Sequence, residues 1–306
     1  MDTETEKTVN NTIFDDVTKN QSGRGESINQ IKFLDNTKIV VWKSWKILAT
    51  CDEWFVDGTF NISPQLFSQV FVILSIRNGG IHPCLYTLLS NKEQTTYLRL
   101  IVEIKNLVPG IIVGSISVDF EVAIYNAFRI EFPNIEIRGC FFHLLQNLKK
   151  QLGIAGLMTD YRNDSDFNLH ARMVTALAFV PPKDVVGCFE ELSEILEVTY
   201  PRLQPILDWL ETFYIGLLRR EGVRRIPAFP IQTWNLYNRV NAGQMKTNNI
   251  CEAAHRRLQA QLSMTKPTVW KFIIELKKVQ AERDIYYEFL VAGNDPPPTK
   301  SFCRSQ

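Results

Sequence analysis

Gln69 to Ile76 (QVFVILSI) is the segment that most limits how this chain can fold. β-Branched and aromatic side chains at successive positions lose rotamer freedom in a helix and suit a pleated strand. Asn78-Gly79-Gly80 follows at once, a tight-turn signal, so Ile81 to Leu89 reads as the return strand of a hairpin. Just upstream, Glu53-Trp-Phe-Val-Asp57 is a short apolar run that ends in an acid and meets the breaker Gly58. Three strands joined this closely are expected to form an antiparallel meander.

The pattern then changes. Glu93 to Leu107 is helical, with Tyr97, Leu98, Ile101, Ile104 and Leu107 on one face, and Pro109-Gly110 stops it. Ile111 to Asp119 (IIVGSISVD) is a buried-type strand that again ends in an acid. Glu121 to Phe132 is an amphipathic helix closed by Pro133, Ile135 to Cys140 a short strand, and Phe142 to Leu152 a helix. A further short helix is expected over Asn36 to Ala49. From about 158 to 245 the strand signals vanish, and helical segments such as 184–197 and 203–218 alternate with prolines. Helix returns over about Asn249 to Leu262 and Pro267 to Leu290, before Pro296-Pro297-Pro298.

This order predicts an α/β chain with an RNase H-like mixed five-stranded sheet. An antiparallel meander comes first, then parallel strands, with an all-α insertion before the last catalytic helix. The expected divisions are a disordered segment over 1–35, the first part of the core over 36–157 and a helical insertion over 158–245. C-terminal helices over 246–292 complete the core, and 293–306 is a flexible tail.

Composition narrows the function. With 306 residues, 45 % hydrophobic and 22 % charged, the chain can bury one large core. Its 34 basic and 33 acidic side chains give a net charge of +1, so any nucleic-acid face must be a local basic patch. The six cysteines (Cys51, Cys84, Cys140, Cys188, Cys251, Cys303) are scattered without a CxxC pair. The N-terminus is acidic and polar, unlike a signal peptide, and Val70 to Ile76 is too short to span a membrane. A reducing cytosolic or nuclear setting with free thiols is expected.

Asp57 and Asp119 are the residues that point to chemistry. A carboxylate at the end of an apolar strand is costly unless it is paired or binds metal. In the RNase H-like layout the first and fourth strands are neighbours, which would bring both acids to a shared cation. Either could instead serve locally, Asp57 in an Asp-Gly turn and Asp119 as a helix cap. Glu252 lies in Thr247-Asn-Asn-Ile-Cys-Glu-Ala-Ala-His-Arg-Arg-Leu258. It shares a helical face with His255, Arg256 and Gln259, while Cys251, Ala254, Leu258 and Leu262 form the apolar side. A capping box from Asn249 to Glu252 is the alternative. Carboxylates suit phosphodiester cleavage, because two Mg²⁺ ions about 4 Å apart activate the nucleophile and steady the leaving oxygen.

Cys140-Phe-Phe-His143 is a CxxH pair. A closed zinc site needs four ligands, and the similar pair His82 and Cys84 belongs to a distant strand, so structural zinc is not expected. Basic pairs occur at Lys149-Lys150, Arg219-Arg220, Arg224-Arg225, Arg256-Arg257 and Lys277-Lys278. Those in the helical block and last helices would suit phosphate contacts. Trp209, Trp234 and Trp270 are expected in the core, with stacking on a flipped base as the alternative.

Phe55-Val-Asp-Gly-Thr-Phe60, Ser117-Val-Asp-Phe120, Cys140-x-x-His143 and Thr247-Asn-Asn-x-x-Glu-x-x-His-Arg-Arg-Leu258 together resemble the Mutator-like (MULE) transposase domain. The spacing also fits, with 62 positions from Asp57 to Asp119 and 133 from there to Glu252. The resemblance spans roughly residues 40–290. It implies a DDE transposase of the RNase H-like superfamily, cutting and rejoining DNA with Mg²⁺ or Mn²⁺. Asp57, Asp119 and Glu252 would be its catalytic and metal-binding acids, and Cys140, His143 and His255 auxiliary. Lys149, Lys150, Arg219, Arg220, Arg224, Arg225, Arg256 and Arg257 are the expected DNA contacts. DNA, as transposon ends and target, is the implied partner, a homo-oligomer a further one, and the nucleus the implied location. Related transposases carry an N-terminal zinc-binding recognition domain. Residues 1–51 here contain one cysteine, Cys51, and no histidine, so a separate recognition domain or protein would be required. The competing readings are a domesticated, non-enzymatic DNA-binding or regulatory protein and an RNase H-like nuclease outside transposition.

Overall fold

The computed structural model describes residues 32–34, 39–43, 45–220, 222–244, 249–263 and 265–296. The expected disordered start lies outside these residues apart from Lys32–Leu34, which forms a strand, and the expected tail lies outside them beyond 296.

The strands are β1 (Lys32–Leu34), β2 (Ile39–Lys43), β3 (Glu53–Thr59), β4 (Gln69–Arg77), β5 (Gly80–Leu89), β6 (Ser115–Val118) and β7 (Glu136–Gly139). They form one sheet in the order β1-β2-β5-β4-β3-β6-β7. Strands β3 to β5 pair antiparallel, β6 joins β3 in parallel, and β7 joins β6 in parallel. These five are the expected RNase H-like mixed sheet. The hairpin between β4 and β5 turns where expected, with Asn78 and Gly79 both at positive φ, 49° and 72°, as a type I′ turn demands.

Two strands were not expected. Ile39–Lys43 (IVVWK) lies where the sequence suggested a helix, and it pairs antiparallel with β5. Its β-branched run finds a strand edge to complete, and this pairing outweighs the local helical pattern. The helix shrinks to α1 (Trp45–Leu48).

Alternate residues of β4 feed opposite cores, which explains its unbroken apolar run. Phe71 and Ile73 join one core; Val70, Val72 and Leu74 join the other. The first is covered by α2 (Gln94–Leu107), α3 (Val122–Glu131) and α4 (Phe141–Ile154). The second is covered by α11 (Asn249–Leu262) and α12 (Val269–Val291) through Cys251, Leu258, Phe272 and Leu276. Sheet and helices thus make three layers.

Between α4 and α11 lie α5 (Met158–Asn163), α6 (Ser165–Ala176), α7 (Val185–Thr199), α8 (Gln204–Leu210), α9 (Ile231–Trp234) and α10 (Tyr237–Asn241). This helical block shares the first core, since Val174, Leu196 and Leu210 belong to the same apolar cluster as Leu144 and Leu148 of α4. Its aromatic residues hold the chain just after β6. Phe120 packs edge-on against Tyr214 and Phe229, at centroid distances of 5.3 and 5.2 Å. Trp234 donates its indole N–H to the Tyr214 carbonyl at 3.1 Å. Trp209 and Trp234 are buried as expected; Trp270 is not, at 38 % exposure.

Phe229, 3 % exposed, touches Phe120, Tyr125 and Tyr214. Phe229→Ala is expected to lower the unfolding free energy by about 3–5 kcal/mol, read by chemical denaturation.

Candidate functional site

The parallel register of β3 and β6 sets the site. Phe55 stands opposite Ser117, and two residues further along each strand come Asp57 and Asp119. Side chains alternate along a strand, so Asp57 shares the sheet face of Phe55. Asp57 is not at the end of its strand as expected. β3 continues to Thr59, and Asp57 pairs with Val72 of β4. Asp119 does directly follow the last residue of β6.

Both acids line one cavity, together with Lys92, Tyr97, Glu121 and His143. Asp57 Oδ1 accepts from the Gly58 N–H at 2.8 Å, and its Oδ2 lies 3.5 Å from His255 Nδ1. Burial, reinforced by Glu121, pushes the Asp119 carboxyl up to about 6, against the opposing pull of Lys92. Glu121, the residue preceding α3, is already engaged. Lys92 donates to it at 3.0 Å and the Tyr97 hydroxyl at 2.8 Å, and Tyr97 in turn accepts from Gln69 at 2.7 Å.

Sequence reading missed this braced set of Gln69, Lys92, Tyr97 and Glu121. The only signal for it was Glu121 two residues after Asp119, which also reads as an ordinary helix start.

Two imidazoles complete the cavity's surroundings. Burial lowers the pKa of His143. Burial, and secondarily His143, lowers that of His255 to about 4. Both rings are therefore neutral at pH 7, and the His255–Asp57 contact is between an uncharged ring and a carboxylate. His143 Nδ1 and His255 Nε2 are buried with no hydrogen-bond partner among the described residues.

The other expected residues are spread more widely. His255 does not sit on a polar face of α11; it is buried in the seam with Cys251, Leu258 and Leu262. Gln259 donates to the Thr59 hydroxyl at 3.1 Å, tying α11 to the end of β3. Cys140 is buried immediately before α4, close to the charge of Arg239, while His143 faces the carboxylate cavity. Glu252 lies within α11, but its side chain, like that of Asn249, is outside the described ones, and the capping-box alternative is outside with it.

Lys149, Lys150, Arg219, Arg220, Arg225, Arg256 and Arg257 are exposed. Arg224 is held inward, with ion pairs to Glu211 at 2.6 Å and Glu190 at 2.8 Å and a bond to the Gly216 carbonyl. Its role is to brace the helical block. The five cysteines among the described residues are free thiols. Among the described side chains, which do not include that of Glu252, no three of His, Cys, Asp or Glu cluster to hold a metal ion. No helix of the described residues is long and apolar enough to cross a membrane.

A mixed sheet in this order, with Asp57 on β3 and Asp119 just after the parallel β6 lining one cavity, has the RNase H-like fold. The family model of the MULE transposase domain matches residues 53–147, a stretch of the chain that is similar to that domain. It contains Asp57, Asp119, Cys140 and His143. A comparison with curated proteins found none that matches.

Asp119 has a definite pH signature. Its folded pKa of about 6 lies above the ordinary aspartate value of 3.8, so between these values the folded chain holds more protons than the unfolded one. The stability this contributes is present below about pH 4 and is lost as pH rises through 6. In EDTA, wild type should therefore lose stability across that window. Asp119→Asn should flatten the curve, with a gain on the order of 1–2 kcal/mol at pH 8, allowing for water in the cavity. Equal slopes in urea titrations of the two proteins would contradict this.

Proposed function

We propose that this chain is the catalytic part of a DDE-type DNA transposase, cleaving DNA strands and joining them by in-line phosphoryl transfer. The observation that carries this reading is that Asp57 and Asp119 line one cavity, within the stretch that matches the MULE transposase domain. Glu252 is the third acid of the proposal. Its support is the backbone of α11, where it precedes His255 by three residues, nearly one turn, and His255 touches Asp57.

The donor set suits a divalent cation. Asp119 is a largely buried acid, and its raised pKa records the cost of leaving its charge uncompensated. Hard carboxylate oxygens match Mg²⁺ or Mn²⁺, which Asp57, Asp119 and Glu252 would hold. A bound pair of such ions supplies nucleophile activation and charge stabilisation on the leaving oxygen.

The chain's own residues do the positioning. His255, neutral and packed against Asp57, limits the rotation of that carboxylate. Lys92 and Tyr97 hold Glu121 away from an open, ligand-ready position and keep a positive charge beside Asp119. A neutral His143 adds no charge to the site, so the acids keep their attraction for a cation. This reading carries with it a nuclear location and a separate module for recognising element ends.

Nicking and strand transfer of element-end DNA in Mg²⁺ or Mn²⁺ tests the proposal. Asp57→Asn, Asp119→Asn and Glu252→Gln should each reduce the rate by orders of magnitude while DNA stays bound. Cleavage that survives all three substitutions sinks the triad. DNA binding without cleavage by the intact protein in either metal points to the domesticated, non-enzymatic alternative.

A further inference from the structure

A second cleft adjoins the carboxylate cavity, opening between α11, α12 and the face of β4 and β5. His255 lines it as well as touching Asp57. Val72, Leu74 and Leu258 give it an apolar lining. Two guanidiniums also line it, Arg257 from α11 and Arg283 from α12.

These two cations lack the partners that usually accompany such a pair. Arg283 Nε is buried without a hydrogen-bond partner, and its guanidinium carbon lies 5.6 Å from the ring centroid of Tyr286. The neighbouring acids are engaged elsewhere. Glu282 accepts from Gln261 at 2.6 Å and Asp284 from Gln280 at 2.7 Å. Among the described residues, neither Arg257 nor Arg283 forms an ion pair. Burial, and after it the repulsion of Arg257, lowers the pKa of Arg283. Both charges also act on the buried Tyr86 hydroxyl.

Two like charges sharing one cleft, one of them partly desolvated, are unfavourable until an anion lies between them. Guanidinium N–H groups match phosphate oxygens in geometry and charge. The apolar lining suits the deoxyribose beside a phosphate. An acidic peptide would satisfy the charges too. Phosphodiester is favoured by position, because Arg257 is two residues from His255, which contacts Asp57.

We propose that Arg257 and Arg283 together grip a backbone phosphate of bound DNA beside the carboxylate cavity, an inference that rests on reading this chain as a DNA-cutting transposase. The phosphate lies near the strand to be cut and sets its register on the site. Phosphate contacts position a protein on DNA without reading sequence.

The test is binding of the full chain to a short fluorescent duplex of arbitrary sequence, in EDTA, across a salt series. Arg257→Gln and Arg283→Gln should each weaken binding several-fold, and the double variant should flatten the slope of log affinity against log salt by about 1–2. Lys183→Gln, at an exposed position of the helical block, should leave that slope unchanged. If Arg283→Gln melts early, Arg283→Lys keeps the charge and should retain the parental slope. A slope unchanged in the double variant overturns the clamp. So does loss of binding to a glutamate-rich peptide with DNA affinity intact. Cleavage by the intact chain in Mg²⁺ separates the two proposals: a slope flattened in the double variant with no cleavage by the intact chain keeps the clamp and removes the catalytic reading, whereas cleavage by the intact chain with an unchanged slope in the double variant removes the clamp alone.

Discussion

The parallel pairing of β3 with β6 is the constraint on which the rest depends. Only Glu53 to Phe55 and Ser115 to Ser117 are registered across it, yet that short ladder decides which side chains continue side by side beyond it. A slip of one residue on either strand would send one acid to the opposite face. Residues on both sides hold the register. Trp54 and Ile116 are fully buried in the first core, and Phe55 is buried in the second. A slipped strand would have to exchange these apolar contacts for buried carboxylate, a penalty of several kcal/mol.

The helical block is part of this restraint rather than an appendage. Phe120 follows Asp119 directly, and Tyr214 and Phe229 of the block enclose its ring. A Cβ at Gly139, at the end of β7, would collide with that same ring, so glycine there leaves room for it. The backbone after β6 is therefore gripped from β7 and from the block together. The block in turn is locked by Arg224, whose ion pairs with Glu190 and Glu211 join α7 to the segment after α8. Residues far from the acids in sequence thus limit how far Asp119 can drift.

How much of this was legible in the sequence follows from the range of each interaction. The β4–β5 hairpin could be read because Asn78-Gly79 specifies its turn locally. The pair Asp57 and Asp119 could be read because each ends or nearly ends a short apolar run, and the order of strands makes those runs neighbours. β2 could not be read, because Ile39–Lys43 becomes a strand only when the β5 edge is present. The polar face assigned to His255 failed for a related reason. A helical wheel places it beside Arg256 and Gln259, but α11 turns its Cys251–His255–Leu258–Leu262 line toward the sheet. The Lys92–Glu121–Tyr97 bracing joins segments about 24 to 29 residues apart, and no local pattern announces it.

The near-zero net charge of the chain conceals an ordered distribution. Around Asp57 and Asp119 the imidazoles are neutral, and Lys92 is the cation that tempers Asp119. That environment leaves Asp119 short of compensating charge. Guanidiniums gather in the adjoining cleft instead, where Arg257 and Arg283 stand without carboxylate partners. A folded chain gains little in stability from the buried charge of Asp119 in one hollow and two like-charged guanidiniums in the next. Under the proposed function, this separation would suit a ligand that is itself divided in charge, a phosphodiester whose accompanying cations would meet the acids while its neighbouring phosphates would meet the arginines.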